Sequence, residues 1–365
     1  MRDSGTTPLR VVMLPPQPWL LSRLAYLPGQ GADANELDRQ FVRNGVAMEM
    51  IDPNPWPWNP FAGRHPLFMG IDPLRALRVL FRRRDADLVL ACFESPTVVL
   101  LLLRRLFRFR PPIVIVDIGL GGEWPIRRRI LNFVVPRLDG IIVLSENQVT
   151  YIHERWKTNA RVVTVLQHVD VDFYTPEPTP DGGPILSVGD DVGRDFDTLI
   201  EAVAGSAQSF EVNLKTSRPL HALDALPEAG RGQFNVLRER LSSVAYRQLF
   251  VSASCVVLSI HHSLHSSGVG TLLEAMAMGK PIIVSDSPGI RDYIIPDETA
   301  LVVPCGDAAA LRDAIELLAR DPALAQRLGA GARRFVERNN AFSVNARRMA
   351  EVLREIVADH ANGGG

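Results

Sequence analysis

Short apolar runs rich in β-branched residues recur along the whole chain, and stretches long enough for helices separate them. Five runs lie in the first half and six in the second half. This alternation predicts parallel sheets, because parallel strands must be joined by long crossover connections that are usually helical. The predicted strands cover residues 10–14, 47–51, 88–91, 113–117, 140–144, 184–188, 211–214, 233–237, 255–259, 282–284 and 300–303.

The length of 365 residues exceeds what one hydrophobic core usually fills, so two domains are expected. The clearest linker is TPEPTPDGG at residues 175–183, because proline and glycine interrupt regular structure there. We therefore predict one Rossmann-like, doubly wound α/β domain over residues 1–178 and a second over residues 179–342. Residues 343–365 are expected to form a last helix that could pack back on the first domain, followed by a frayed tail.

Basic and acidic residues almost cancel, with 40 Lys and Arg against 41 Asp and Glu, which argues against a nucleic-acid partner. The arginines are nevertheless concentrated in the first half of the chain. A basic face there could contact an anionic membrane surface or a phosphorylated acceptor, and a solvated helix face is the alternative. The clustered residues are Arg82, Arg83, Arg84, Arg104, Arg105, Arg108, Arg110, Arg127, Arg128 and Arg129.

The cysteines and the N-terminal residues favour a cytoplasmic protein. Cys92, Cys255 and Cys305 are widely spaced and odd in number, as expected for reduced core residues rather than disulfides. The first apolar run is cut short by two prolines, which fits neither a signal peptide nor an anchor. The longest plain apolar run, at residues 98–103, is too short to span a bilayer. Any membrane contact would be peripheral, at the inner face of the cytoplasmic membrane.

A Ser/Gly-rich loop in the second half is the strongest sign of a ligand site. It follows the predicted strand at residues 255–259 and precedes a helix expected to begin near Val269. In a parallel sheet, such a loop brings backbone N–H groups and a helix N-terminus close to an anion, so a diphosphate is the natural ligand. Glu274, about one turn into that helix, could accept hydrogen bonds from hydroxyls beside the phosphates, such as those of a ribose.

Two features of the first half are candidates for an acceptor site. The turn at residues 29–36 contains Gly29 and Gly31, but it lacks the GxGxxG pattern of a dinucleotide site. Asp117 ends a predicted strand at the same sheet edge, where a capping aspartate is the alternative interpretation.

Three histidines in or near the Ser/Gly-rich loop do not predict a metal site. His261, His262 and His265 lie outside any confident helix and have no acidic or cysteine ligand beside them. His265 is instead a candidate hydrogen-bond donor to a sugar.

From about residue 141 to residue 340, the chain resembles retaining, nucleotide-sugar-dependent glycosyltransferases of family 4. The similar segments are HVDVDFYTP at 168–176, ILSVGDDVGRDFDTLIEA at 185–202, LEAMAMGKPIIVSD at 273–286 and GIRDYIIPDETALVVP at 289–304. The resemblance implies the GT-B architecture, in which two Rossmann-like domains face each other across a cleft and the second binds the donor.

The resemblance also implies roles for individual residues. Glu274 matches the family glutamate that contacts the donor ribose, whereas the glutamate expected eight positions earlier is replaced by Ser266. Arg194 matches a basic residue of the family that binds the diphosphate. The family has a second basic residue at the position of Asp190, so Lys215 is the candidate for supplying that missing positive charge. The other implied donor-binding residues are Gly189, His265, Ser267, Gly268, Val269, Gly270 and Thr271.

The implied reaction transfers a sugar from a UDP- or GDP-sugar to a saccharide or polyprenyl-linked acceptor, with retention and without metal or cofactor. Arg194, Glu274 and Asp117 are the candidate catalytic residues, because charge growing on the leaving phosphate needs fixed positive groups. Cell-envelope or exopolysaccharide synthesis is the expected context. The alternatives are a GT-B sugar-nucleotide epimerase and a non-catalytic nucleotide-sugar-binding subunit, which the changes at Ser266 and Asp190 favour. A nicotinamide dehydrogenase lacks its fingerprint.

Overall fold

The computed structural model describes residues 7–15, 36–53, 71–83, 85–116, 125–178 and 182–363. The chain forms two compact units, and the second spans Leu166–Val344, whereas the described residues before and after it belong to the first. Gly29, Gly31 and Asp117 lie outside the described residues. The acceptor-side assignments therefore stay predictions.

The first unit contains a parallel sheet of six strands in the order β2-β1-β3-β4-β5-β6. Central strands such as GIIV are buried along their length, because helices cover both faces of the sheet. The strands are β1 (Leu9–Leu14), β2 (Val46–Met50), β3 (Leu88–Cys92), β4 (Ile113–Val116), β5 (Gly140–Val143) and β6 (Arg161–Thr164). The helices of this part of the chain are α1 (Glu36–Arg43), α2 (Pro73–Arg82), α3 (Val98–Leu103), α4 (Pro125–Val134) and α5 (Glu146–Arg155).

The second unit also contains a six-stranded parallel sheet, in the order β12-β11-β10-β7-β8-β9. Its strands are β7 (Ile185–Val188), β8 (Val212–Lys215), β9 (Phe234–Leu237), β10 (Cys255–Leu258), β11 (Ile282–Ser285) and β12 (Leu301–Val303). Its helices are α6 (Phe196–Ala204), α7 (His221–Ala225), α8 (Glu228–Arg231), α9 (Ser243–Ser252), α10 (Val269–Ala277), α11 (Ala308–Arg320) and α12 (Pro322–Asn339).

The strand order of the second sheet reverses between β7 and β10. The chain proceeds from β7 to one side of the sheet and from β10 to the other. The loops that follow these two strands therefore diverge, and open α/β sheets bind ligands in the crevice that results. The loops are residues 189–195 and 259–268, the same two that the sequence predicts to contact the donor diphosphate.

The last helix, α13 (Phe342–Gly363), belongs to the first unit from Asn345 onward. Ala346, Val352 and Leu353 on its apolar face are buried in the same core cluster as alternate residues of β1, β3 and β4. Arg161 of β6 forms ion pairs with Glu355 at 2.5 Å and with Asp359 at 2.7 Å.

The units divide after Val165 rather than at residue 178. Side chains of the second unit hold residues 166–178: Arg247 donates to the carbonyl of Phe173 at 2.7 Å, and Arg333 donates to that of Tyr174 at 2.7 Å. The proline-rich composition at 175–183 suggested a free linker, but arginine side chains can hold a segment of this kind without any sheet hydrogen bonds. Composition alone therefore placed the boundary too late.

Strand β6 and helix α12 are among the elements that the sequence-based assignment lacks. The four residues of β6 are all only half-buried, and this edge strand gives no clear apolar run. Helix α12 follows α11 after a single residue, Asp321, which caps it by accepting from the Leu324 N–H at 2.9 Å. Residues 308–339 therefore form two helices, whereas the sequence pattern predicts one, over residues 308–319.

Candidate functional site

A cavity of about 410 Å³ lies at the carboxyl edge of the second sheet. Its walls come from the ends of β7 and β8, from α9 and α10, and from the segment that leads into the second unit. Four predicted donor-site residues are among those that line it, namely Gly189, Lys215, Thr271 and Glu274. The fold therefore brings together residues that are up to 85 positions apart in the chain.

Glu274 lies in the second turn of α10 and accepts hydrogen bonds from two tyrosines. The Tyr174 hydroxyl donates to Oε1 at 3.0 Å, and the Tyr246 hydroxyl donates to Oε2 at 2.9 Å. Burial raises the pKa of Glu274 to about 7, although the two hydrogen bonds act in the opposite direction. Burial, together with the neighbouring Glu274 charge, also raises the pKa of both tyrosines, so their hydroxyls remain donors at neutral pH.

Arg194 is buried beneath the two loops at the switch point, with 2% of its surface exposed. A Cβ on Gly189 would lie 2.7 Å from its Nε, and a Cβ on Gly268 would lie 2.8 Å from its Nη1. Glycine is thus required at both positions for the backbone to approach the guanidinium so closely. Gly268 also has a φ of +73°, a conformation that favours glycine.

The guanidinium of Arg194 is only partly satisfied. Its Nη2 donates to the Ser187 hydroxyl at 3.1 Å, whereas Nε and Nη1 have no hydrogen-bond partner among the described residues. Burial lowers its pKa to about 10, so it remains charged at neutral pH, and Asp191 is the acidic neighbour that opposes this shift. A buried cation with unused donors is unfavourable unless an anion completes it, so this is a favourable position for a phosphate.

The N-terminus of α10 faces the same region. The helix begins after Gly268, and no side chain caps its first turn. Unpaired N–H groups and the helix dipole make such an end attractive to an anion. Val269, Gly270 and Thr271 form this first turn, in agreement with a helix that starts where the sequence predicts.

Backbone hydrogen bonds join the two loops of the switch point. The Asp195 N–H donates to the carbonyl of Ser259 at 3.0 Å, and the His261 N–H donates to that of Gly193 at 2.8 Å. Gly193 also packs so tightly on Ser267 that a Cβ would lie 2.2 Å from the Ser267 hydroxyl oxygen. The loops are therefore held in one arrangement before any ligand arrives.

The predicted sugar-contacting residues lie on the loop before α10, away from the walls of the larger cavity. Ser266 and Ser267 are buried, and the hydroxyl of Ser266 has no partner among the described residues. His265 is half-buried, its N–H donates to the Ser263 hydroxyl at 3.0 Å, and its Nδ1 is likewise unpaired in the described part of the chain. Their contact with a sugar remains a prediction.

Asp190 braces the cavity wall. Its Oδ1 accepts hydrogen bonds from the Thr216 hydroxyl at 3.2 Å and from the backbone N–H and the hydroxyl of Ser217. Burial raises the pKa of Asp190, but these hydrogen bonds and the charge of Lys215 together lower it by more. The net pKa is therefore below its ordinary value, and the carboxylate is ionised. The departure from the family cation at this position thus has a structural role, and Lys215 at the end of β8 supplies a positive charge beside it.

A smaller cavity of about 260 Å³ adjoins the start of α6 and is lined by Arg194, Arg218, His221 and His261, among others, so Arg194 borders this cavity and not the larger one. His261 is exposed and lies 3.6 Å from Asp195, whose carboxylate caps α6. Within the part of the chain that the structure describes, no group of three or more His, Cys, Asp and Glu side chains is arranged to hold a metal ion.

Sequence reasoning missed Tyr174 and Tyr246 as site residues. They are 100 and 28 positions away from Glu274, and neither belongs to the loop motif. The only sequence signal for Tyr174 is its place in HVDVDFYTP, a segment that we interpreted as joining the domains.

Comparison with known proteins agrees with this geometry. Residues 239–335 match the family model "Glycosyl transferases group 1". The structure superposes on sucrose-phosphate synthase from Thermosynechococcus elongatus with a TM-score of 0.73 at 18% identity, covering 96% of this chain and 100% of that one. It also matches Anabaena HepE, solved in complex with UDP, with a TM-score of 0.66 at 14% identity, covering 95% and 100%. The fold is GT-B.

The predicted resemblance to GT-B glycosyltransferases is thereby confirmed. Among curated proteins, a phosphatidyl-myo-inositol mannosyltransferase from Mycobacterium leprae is 25% identical over 237 residues. That match covers 59% of this chain and 60% of the relative, so the chain spans less than two thirds of the length of that protein. Among the residues that the structure describes, no helix is long and apolar enough to cross a membrane.

Proposed function

We propose that the protein is a retaining glycosyltransferase that uses a nucleoside diphosphate sugar, as in family 4. The observation that carries this proposal is the buried guanidinium of Arg194, which has two unused donors beneath Gly189 and Gly268. The diphosphate would lie between that cation and the N-terminus of α10. Glu274 would accept hydrogen bonds from the ribose, and UDP bound to HepE is compatible with a ligand of this class.

In the proposed reaction the anomeric C–O bond breaks, and its electron pair leaves with the nucleoside diphosphate. Arg194, Lys215 and the N–H groups at the start of α10 stabilise the charge that develops there. The acceptor oxygen attacks from the same face of the sugar and gives its proton to the leaving phosphate, which accounts for retention. These residues position and neutralise charge, so the sequence of events requires no metal ion.

A screen of nucleoside diphosphates and their sugars tests this proposal. A UDP- or GDP-linked ligand is expected to raise the unfolding temperature, because a ligand that binds only the folded state stabilises it. With saccharide and polyprenyl-linked acceptors, NMR of the product would give the anomeric configuration. Binding without transfer or hydrolysis would favour a non-catalytic subunit, and an altered donor sugar would favour an epimerase. No binding at all would contradict the proposal.

The acceptor is proposed to be a saccharide or a lipid-linked sugar in envelope or exopolysaccharide synthesis. The M. leprae relative is named for a lipid substrate. A second relative, from Rhizobium leguminosarum, is named "Lipopolysaccharide core biosynthesis mannosyltransferase LpcC" and is 36% identical over 90 residues, or 26% of its length. These names support a glycolipid or polysaccharide acceptor for this chain.

We also propose that the first unit contacts anionic membranes through α2, α3 and the turn after α3. Residues 71–83, 98–110 and 125–137 each contain four arginines, and Asp72 is their one acidic residue. Leu106, Leu102 and Phe81 on this face are 74%, 59% and 58% exposed. Some arginines of these segments pair with acidic residues elsewhere, as Arg104 does with Asp139, but Arg105 and Arg108 are exposed beside the apolar side chains. Exposed apolar and basic side chains together complement an anionic bilayer.

The double variant Leu106→Ser/Arg108→Glu is expected to reduce sedimentation with vesicles of phosphatidylglycerol and phosphatidylcholine by about tenfold, since each basic residue contributes roughly 1 kcal/mol near such a surface. Val42→Ser/Arg43→Glu is the matched control, because α1 lies on the opposite face of the same sheet. Equal sedimentation of both variants, or no binding by the wild type, would contradict the membrane proposal.

A further inference from the structure

The two oxygens of Glu274 each receive one hydrogen bond, and the donors come from different parts of the second unit. Tyr174 lies in the segment that leads into the unit, and Tyr246 lies on α9. Both rings contact Phe250 edge to face, with centroids 6.3 Å and 5.4 Å away. Phe250 is fully buried. One buried aromatic ring therefore packs against both tyrosine rings.

A carboxylate offers about four acceptor positions, two on each oxygen. The tyrosines use one position on each oxygen, which leaves one on each for a ligand in the cavity. Two remaining acceptors on neighbouring oxygens match two adjacent hydroxyl donors. A ribose presents such a pair at its 2′ and 3′ positions.

We propose that Tyr174 and Tyr246 are positioning residues that hold the carboxylate of Glu274 so that its remaining lone pairs accept both hydroxyls of the donor ribose. The inference rests on the proposed function, because the ribose belongs to the nucleoside diphosphate sugar. Glu274 would therefore need two tyrosine hydroxyls, both outside the loop at residues 259–268, in order to bind the ribose.

The hydrogen bonds from the tyrosines also favour the ionised carboxylate, because they lower the pKa of Glu274 against the larger effect of burial. A protonated Glu274 would donate one hydrogen bond instead of accepting two, so ribose binding depends on ionisation near neutral pH. Other charged groups that face the same cavity are Asp190 after β7, Lys215 at the end of β8 and Arg240 before α9. Arg194 does not line this cavity, but its charge acts on Tyr246 and lowers the pKa of the tyrosine hydroxyl.

Two measurements test the inference in the full-length protein. Carbon-13 NMR of carboxyl-labelled glutamate follows the titration of Glu274 without ligand, and the signal is assigned by its loss in Glu274→Gln. Calorimetry then compares the affinity of UDP or GDP with that of the 2′,3′-dideoxy nucleotide between pH 6 and pH 9. Tyr293→Phe is the matched control, because the Tyr293 hydroxyl is also buried in this unit but accepts from the N–H of Gln167.

Tyr174→Phe and Tyr246→Phe are each expected to raise the midpoint of the Glu274 titration by about one pH unit and to weaken ribonucleotide binding about tenfold at pH 7. Dideoxynucleotide affinity should not change, and Tyr293→Phe should change neither quantity. An unchanged midpoint or an unchanged ratio of ribo to dideoxy affinity would overturn the inference. A wild-type protein that binds no nucleotide would overturn the ribose assignment with the proposed function, and the NMR midpoint would then still report whether the tyrosines act on Glu274.

Discussion

Replacement of Arg194 by methionine is expected to lower the affinity for nucleoside diphosphates by about 100-fold or more, equivalent to roughly 3 kcal/mol. The guanidinium offers two unused donors to the phosphates from a buried position, where a charge-assisted hydrogen bond is strong. Methionine fills a similar volume but donates nothing. The loss should therefore fall on ligand binding.

The same substitution is expected to leave the ligand-free protein as stable as the wild type or more stable. An incompletely paired buried ion costs free energy on folding, and an apolar residue of similar size removes that cost. The hydroxyl of Ser187 still donates to the carbonyl of Val257 at 2.8 Å. Urea unfolding and calorimetry with UDP and GDP measure the two effects separately.

Arg320→Met is the matched control, because Arg320 is exposed at the end of α11 and lines neither cavity. It should change nucleotide affinity by less than about threefold, as for surface charges that form no direct contact. If Arg194→Met lowers the free energy of unfolding and leaves nucleotide affinity unchanged, Arg194 is a structural residue and the donor-site assignment fails.

The second large effect concerns Glu274 and pH. Its carboxyl has a pKa of about 7 in the folded protein against an ordinary value of 4.5, so the folded state binds this proton more tightly than the unfolded chain does. The free energy of unfolding should therefore fall as pH rises from about 4.5 to about 7, by an amount on the order of 3 kcal/mol. Above that range this group adds no further change.

Glu274→Gln is expected to abolish this slope and to be more stable than the wild type at pH 8, because the amide carries no charge to bury. Ribonucleotide binding should respond in the opposite direction: in the wild type it strengthens as pH rises through 7, and in the variant it is weak throughout. Urea unfolding at pH 5, 6, 7 and 8 gives the slope. Glu228→Gln, at an exposed position of the same unit, is the control. Parallel slopes for wild type and Glu274→Gln would mean that Glu274 is not buried as described.

Local patterns were sufficient to predict most of the second unit. The sequence pattern predicts a helix over residues 196–204, and α6 has these bounds, because Asp195 caps it and Gly205 follows its last residue. The loop before α10 was also predicted, since glycine, serine and the following helix signal are contiguous in sequence. These features depend on residues that are neighbours in the chain, so the local sequence is enough to predict them.

The remaining features depend on contacts between distant residues. The hydroxyls of Tyr174 and Tyr246 reach Glu274 only after the sheet forms, and nothing in their own neighbourhoods marks them as site residues. From the sequence, Asp190 could be interpreted only as the loss of a positive charge. Its structural role depends on hydrogen bonds from Ser217, 27 positions away in the chain. The boundary between units was misplaced because the contacts of Arg247 and Arg333 with the segment at 166–178 leave no trace in its composition.

The attachment of residues 166–178 to the second unit determines which fragment of the protein could bind a nucleotide alone. A fragment that begins at residue 179, where composition suggests a domain start, would lack Tyr174 and the carbonyls that Arg247 and Arg333 bind. A fragment that begins at Leu166 retains them. The cavity around Glu274 is therefore completed by a stretch of chain that a truncation at the boundary suggested by composition would remove.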